Sequence, residues 1–121
     1  MVAEFTGVIL VVEDDPLVLL SATDILEEAG YSVLQASDAD EAIALLEVHP
    51  DIGIVFTDIE MPGSMDGMKL AACVRDRWPP VEIIITSGRV PSRDVALPAR
   101  GLFLPKPYRP HELTDRIRTF I

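Results

Sequence analysis

The first half of the sequence contains no lysine or arginine. Residues 1–60 carry 14 acids, seven Asp and seven Glu, and the first basic residue is Lys69. Residues 61–121 hold all ten basic residues against six acids, so the halves sum to −14 and +4 and the chain to −10. Nucleic-acid phosphates are bound largely through cation count, so this chain lacks the footprint of a DNA-binding domain. Cysteine is almost missing: the lone Cys73 cannot form an intrachain disulfide, and nothing argues for an oxidising compartment. The apolar run Val8–Val12 is far too short to span a bilayer, and Met1-Val2-Ala3-Glu4 lacks the positive start of a signal peptide. Repeats, low-complexity tracts and internal linkers are absent too. The expectation is a cytoplasmic domain that neither binds DNA directly nor enters a membrane.

What is present is ordinary globular material. At 49% hydrophobic and 25% charged, the composition is not that of a disordered tail, and 121 residues suit one domain with a core of its own. Short apolar runs alternate with helical patterns. Val8–Val12 is β-branched and continuous; Asp15-Pro16 then offers an N-cap and a proline at the first helical position. Val18, Ala22, Ile25, Leu26 and Ala29 follow at helical spacing, and Gly30 ends the helix. Tyr31–Gln35 reads as a short strand, and Asp38 with Glu41 as a capping box opening a helix to about Glu47. Ile52–Thr57 is a third strand, followed by a loop at Pro62-Gly63 and a helix over Gly67–Trp78 that Pro79-Pro80 stops. Val81–Thr86 and Leu102–Leu104 are the last strands. Between them, Gly88, Pro91 and Pro98 leave room for at most two helical turns. A final helix from Pro110 shows Leu113, Ile117 and Phe120 at i, i+4 and i+7. Five βα units with unbroken apolar strands predict a doubly wound α/β domain with a parallel sheet.

In such sheets ligands bind at the carboxyl ends of the strands. Those ends carry Glu13, Asp14 and Asp15, then Asp58 and Glu60, then Thr86 and Ser87, then Lys106. Packed carboxylates repel unless a hard cation neutralises them, and Mg²⁺, with its preference for oxygen ligands, suits this set. A carboxylate, Mg²⁺, a lysine and a hydroxyl together handle phosphoryl groups: the carboxylate can become an acyl phosphate while the cations neutralise the transferring oxygens. No His, Cys or activated Ser constellation competes.

Five segments in order then carry a resemblance. They are Val11-Val12-Glu13-Asp14-Asp15-Pro16, Thr57-Asp58-Ile59-Glu60-Met61-Pro62-Gly63, Asp66-Gly67, Ile85-Thr86-Ser87-Gly88 and Lys106-Pro107. With them the whole chain, 1–121, resembles the receiver domain of two-component response regulators, of the single-domain type. The resemblance implies a flavodoxin-like (βα)5 fold with a five-stranded parallel sheet in the order 2-1-3-4-5. It implies that Asp58 is the phosphoacceptor and that Glu13, Asp14, Asp58 and the backbone carbonyl of Glu60 hold Mg²⁺, with Mn²⁺ as a substitute. Thr86 and Lys106 would bind the phosphoryl group, Thr86 moving inward on activation, and Phe103 would stand at the switch aromatic. The Lys106-Pro107 peptide would be cis, a conformation that proline makes accessible. The donor would be a sensor histidine kinase or a histidine phosphotransfer protein. A downstream protein, unnamed by the sequence, would read the state, and a homodimer through the fourth and fifth βα units stays open. The domain would catalyse its own phosphorylation and slow hydrolysis without being an enzyme on external substrates.

Three features depart from the family pattern. Met61-Pro62-Gly63-Ser64-Met65-Asp66-Gly67 is one residue longer than the usual loop. Phe103 lacks the hydroxyl of the common Tyr. The fourth helix is short and proline-bounded. Ser87 is small, which predicts open access to Asp58. Other residues have plainer readings: Asp15 is a helix cap rather than a ligand, His49 and His111 are surface residues, and Cys73 and Trp78 belong to packing. Glu13 and Asp14 fit less well as solvated loop acids, because acids that end a buried strand are costly without a partner. Arg89, Arg93, Arg100, Arg109, Arg116 and Arg118 cluster in the fourth and fifth units; a solvated mixed surface and a docking patch are equally open. An aspartyl phosphatase with Asp58 as nucleophile and Glu60 as acid is the alternative, as is a receiver degraded to a binding module.

Overall fold

The computed structural model describes residues 7–61, 63, 65–89 and 95–120. Five strands and four helices follow one another: β1 Val8–Val12, α1 Pro16–Glu28, β2 Ser32–Ala36, α2 Ala39–Val48, β3 Ile52–Asp58, α3 Gly67–Arg77, β4 Glu82–Ser87, β5 Leu102–Pro105 and α4 Pro110–Arg118. The strands form one parallel sheet in the order β2-β1-β3-β4-β5. This is the flavodoxin-like doubly wound α/β fold. The order reverses between β1 and β3, which opens a crevice at their carboxyl ends.

Strand alternation splits the core into two layers. Leu10, Val12, Val55, Ile83 and Ile85 face α2 and α3 through Ala42, Leu46, Leu70 and Val74. Ile9, Val11, Ile54, Phe56 and Ile84 face α1 and α4 through Ala22, Leu26, Leu113 and Ile117. Both faces of β1, β3 and β4 are covered, which is why their sequences read as continuous apolar runs. Edge strand β2 is partly exposed, and its sequence is broken by the exposed Ser32 and Gln35.

Helix starts follow local chemistry. Asp15 accepts from the N–H groups of Leu17 and Val18 at 3.0 and 3.5 Å, confirming its cap role. Asp38 accepts from the Glu41 N–H at 2.8 Å, but the Glu41 carboxylate turns to the Ser37 hydroxyl at 3.2 Å, so only half of the expected box forms. A reciprocal contact opens α4: Glu112 accepts from the Arg109 N–H at 2.9 Å, and its own N–H donates to the Arg109 carbonyl at 2.9 Å. Asp66 caps α3 through the Lys69 N–H at 2.9 Å.

The crossover between β4 and β5 carries no helix among the described residues. Residues 95–98 are irregular and 99–100 form a turn, while Pro91 and Arg93 lie outside the described residues, as do Pro62 and Ser64 of the longer loop. Gly63, in that loop, takes φ +103°, a left-handed conformation that favours glycine. Three of the described arginines have separate surroundings. Arg100 binds the Pro79 carbonyl and Glu82 at the amino end of the sheet, Arg118 pairs with Asp115, and Arg89 lies at the carboxyl end. No helix among the described residues is long and apolar enough to cross a membrane.

Candidate functional site

The sheet brings together the residues that sequence order keeps apart. Glu13 follows β1 and is fixed by its own N–H, which donates to the Ala36 carbonyl at 3.0 Å. Asp58 ends β3, where the next N–H, that of Ile59, bonds the Thr86 carbonyl at 2.9 Å. Lys106 follows β5, and its N–H bonds the Ser87 carbonyl at 2.9 Å. The Lys106-Pro107 peptide is cis. Each of these three strand ends is thereby pinned to a neighbouring strand of the sheet.

Lys106 Nζ lies 2.9 Å from Glu13 Oε1 and 3.2 Å from Asp58 Oδ2. Glu13 and Asp58 are each 4% exposed, so one ammonium is shared by two buried carboxylates and leaves a net negative charge between them. Burial pushes both carboxyls above the ordinary carboxylate range. The ammonium pulls them back, while each site's neighbouring acid pushes further: Asp58 for Glu13, and Glu60 for Asp58. Burial lowers Lys106, but its bonds to Glu13 and Asp58 outweigh that and leave it raised. The second oxygen of Glu13 accepts from the Asp15 N–H at 3.1 Å. Asp58 Oδ1 is buried without a hydrogen-bond partner.

That orphaned oxygen tests whether a cation fits. Carboxylate oxygens of Glu13, Asp14 and Asp58 lie within 4.8 Å of one another, with Asp14 exposed at the rim. Three hard oxygen donors, one of them otherwise unsatisfied and one open to solvent, suit Mg²⁺, which binds few carboxylates and keeps several waters. The residues present fit the ion. Asp15 is not in the group, in line with its role as a cap.

Thr86 is 2% exposed, and its hydroxyl donates to the Leu104 carbonyl at 2.6 Å, away from the carboxylates. Phe103, one residue earlier on β5, is partly buried against the core layer shared with α2 and α3. Glu60 and Arg89 line the acidic pocket beside Glu13, Asp14, Asp58 and Lys106. Access is therefore governed by more than the size of Ser87.

Sequence reasoning missed three features. The Ser87 hydroxyl sits 2.8 Å from both carboxylate oxygens of Glu60, a link that only the β3–β4 adjacency reveals. Gly67 approaches the Asp58 backbone so closely that a Cβ would lie 1.8 Å from its carbonyl oxygen. Tyr108 packs edge-on against Phe56, with ring centroids 5.7 Å apart. It forms one wall of an apolar groove of about 630 Å³, opposite Leu17, Val18 and Ile25 of α1. Its place just after Lys106-Pro107 was the only signal available.

Residues 9–118 match the family model described as the response regulator receiver domain. The aerobic respiration control protein ArcA of Escherichia coli (strain K12) is 34% identical over 119 residues, covering 93% of this chain and 48% of that protein. The sensor kinase CckA of Brucella abortus (strain 2308) is 29% identical over 120 residues, covering 96% of this chain and 13% of the kinase. Among solved structures, the response regulator TrrA of Thermotoga maritima, in complex with Mg²⁺ and BeF, superposes with TM-score 0.86 at 25% identity, covering 96% of this chain and all of that one. The chain spans less than half the length of the two curated relatives.

Proposed function

Because the chain belongs to the response regulator receiver domain family, we propose that Asp58 is the phosphoacceptor of a two-component phosphorelay. The donor is a histidine of a sensor kinase or of a phosphotransfer protein. The observation that carries this reading is the single ammonium of Lys106 bridging Glu13 and Asp58 where three strands end.

In transfer, a carboxylate oxygen of Asp58 forms a bond to phosphorus as the phosphorus–nitrogen bond of the donor breaks, and the electron pair returns to the imidazole. Glu13, Asp14, Asp58 and the backbone carbonyl of Glu60 would hold Mg²⁺ or Mn²⁺, which when bound neutralises charge on the transferring oxygens. Lys106 leaves Glu13 for the phosphoryl group and keeps a positive charge beside it. Thr86 exchanges the Leu104 carbonyl for a phosphoryl oxygen, and this frees the β5 backbone next to Phe103. A buried hydrogen bond is traded for a charge-assisted one, so the change follows phosphorylation downhill. A downstream protein reads the altered surface of β4 and β5.

The donor has a marked approach. Leu17 and Leu20 of α1 are 78% and 53% exposed. Leu17 lines the apolar groove, and Val18, Gly88 and Lys106 line both that groove and the acidic pocket. A histidine-bearing helix laid on α1 would reach Asp58 without crossing open solvent. The reading places the chain in the cytoplasm, as a signalling switch with no external substrate.

The test is incubation with Mg²⁺ and a small phosphodonor, with and without chelator. One acid-stable, base-labile phosphate per chain is expected in wild type, and none in Asp58→Ala. No adduct in wild type, or the same adduct in the variant, overturns the reading. Sustained turnover of a phosphomonoester would favour the aspartyl phosphatase instead.

A further inference from the structure

The sheet has a second concavity at its other end, where β3 and β4 begin. The buried side chains of Leu46, Ile52 and Val81 line a cavity of about 490 Å³ together with the half-buried Trp78, and Glu47 and Asp51 add charge to the lining. The surroundings are negative. α2 ends on this cavity, where a helix already places partial negative charge, yet its last turn carries Glu47 and no basic residue. Asp51 lies in the turn that follows. Among the described residues no lysine or arginine lines the cavity. Arg77, at the end of α3, reaches Glu47 at 2.8 Å and lies 4.4 Å from the centre of the Trp78 ring. One guanidinium is thus already held between an acid and the indole. Among the described residues Asp51 has no such partner. Val48, next in sequence to Glu47, is 68% exposed and adds apolar surface outside the cavity.

We propose that this end of the sheet is a docking site for a partner protein that inserts an arginine flanked by apolar residues. The arginine stem lies along Leu46, Ile52 and Val81, as long cationic side chains do on apolar surface. Its guanidinium pairs with Asp51, the acid that Arg77 leaves unanswered, and meets the Trp78 ring. Charge complementarity selects a cation, and the combination of carboxylate and ring selects a planar guanidinium over a compact ammonium. A free small cation would leave Val48 uncovered, whereas an apolar residue beside the arginine covers it. The lining shares no residue with the acidic pocket or the apolar groove, so a partner here leaves both open to a phosphodonor. The proposal stands apart from the role of Asp58.

Trp78 is the chain's one tryptophan, so its emission reports on this cavity directly. The experiment titrates the full chain with the acetylated, amidated peptide Gly-Leu-Arg-Leu-Gly, with the same peptide carrying citrulline for arginine, and with hexylguanidinium. The arginine peptide should give a saturable change in emission, and the neutral citrulline peptide should bind about tenfold more weakly. Asp51→Asn keeps the backbone carbonyl that accepts the Val8 N–H, so it preserves the fold; it should weaken the arginine peptide about fivefold and leave the citrulline peptide unchanged. Asp24→Asn, on α1 across the sheet, removes the same charge and should leave binding within about twofold. No saturable change at millimolar peptide, equal binding of the arginine and citrulline peptides, or equal losses from Asp51→Asn and Asp24→Asn each overturns the proposal. Hexylguanidinium binding as tightly as the peptide overturns the assignment to a partner protein and makes the cavity a small-molecule site.

Discussion

Replacing Gly67 by alanine puts a methyl group where the structure has the main chain of Asp58. An ideal Cβ would lie 1.8 Å from the Asp58 carbonyl oxygen, 2.7 Å from its carbon and 2.9 Å from Ile59 Cα. To reach 3.0 Å, below which Cβ contacts essentially never occur, the oxygen must retreat by 1.2 Å (3.0 − 1.8). No rotamer relieves this, because every atom struck belongs to the backbone. The segment is also tied on both sides. The Asp58 carbonyl accepts the Thr57 hydroxyl at 3.0 Å, the Ile59 N–H bonds the Thr86 carbonyl at 2.9 Å, and the Ile59 carbonyl accepts the Gly67 N–H at 3.0 Å. Overpacking a core costs roughly 1–3 kcal/mol, and a clash with immobile backbone belongs at the top of that range, about 3 kcal/mol. The acceptor is then misplaced by about the same ångström, which costs a reacting pair on the order of 10²-fold. Urea unfolding of Gly67→Ala should show the first loss, and single-turnover phosphorylation below the unfolding transition should show the second. A variant within about 0.5 kcal/mol and twofold of wild type would refute the close-approach argument, since surface changes alone stay within that range.

Lys106→Met leaves Glu13 and Asp58 without their shared cation. Breaking a buried pair costs roughly 3–5 kcal/mol, and partial exposure of the lysine reduces the expectation to about 2–3 kcal/mol at pH 7, measured by urea unfolding. Added Mg²⁺ should restore part of the loss, and unchanged stability would contradict the bridge. The pH dependence has a definite sign. Glu13 and Asp58 have folded-state carboxyls raised by burial, so the stability they contribute is full below their unfolded pKa values and is lost as pH rises through the raised ones. In metal-free buffer, calorimetry should therefore show wild type losing stability relative to Asp58→Asn as pH rises from about 4 toward neutrality. Wild type gaining stability relative to Asp58→Asn over that window would contradict it. Leu17→Glu should lower transfer from a phosphohistidine protein at least about tenfold, as loss of an interface anchor does, and more than it lowers the rate from a small donor. Equal losses would argue against docking on α1.

Much of the molecule was legible because local chemistry and burial coincide. The runs Val8–Val12 and Ile52–Thr57 announce strands covered on both faces, and Asp15-Pro16 announces the start of α1 without tertiary help. The acids after β1 and β3 were readable as a site because the fold gathers the carboxyl ends of its strands. What stayed hidden depends on atoms that only the assembled sheet brings together. The Ser87 hydroxyl meets Glu60 across 27 residues of sequence, and the need for glycine at 67 arises from a backbone nine residues upstream. Tyr108 reads as an isolated aromatic until Phe56 and α1 are placed beside it. The segment from Gly88 to Arg100 has no apolar periodicity, and among its described residues no helix forms. Glu41 shows the limit of a motif: it lies at the right spacing from Asp38, yet the Ser37 hydroxyl takes its carboxylate.

The central claim is that one oxygen of Asp58 receives the phosphoryl group. Its most direct test is chemical mapping: phosphorylate wild type with Mg²⁺ and a small donor, reduce the acyl phosphate with borohydride, and locate the modified residue by peptide mass spectrometry. The account predicts conversion of Asp58 to homoserine, dependent on both metal and donor. Labelling at Asp14, Glu13 or a histidine, with Asp58 intact, would contradict it.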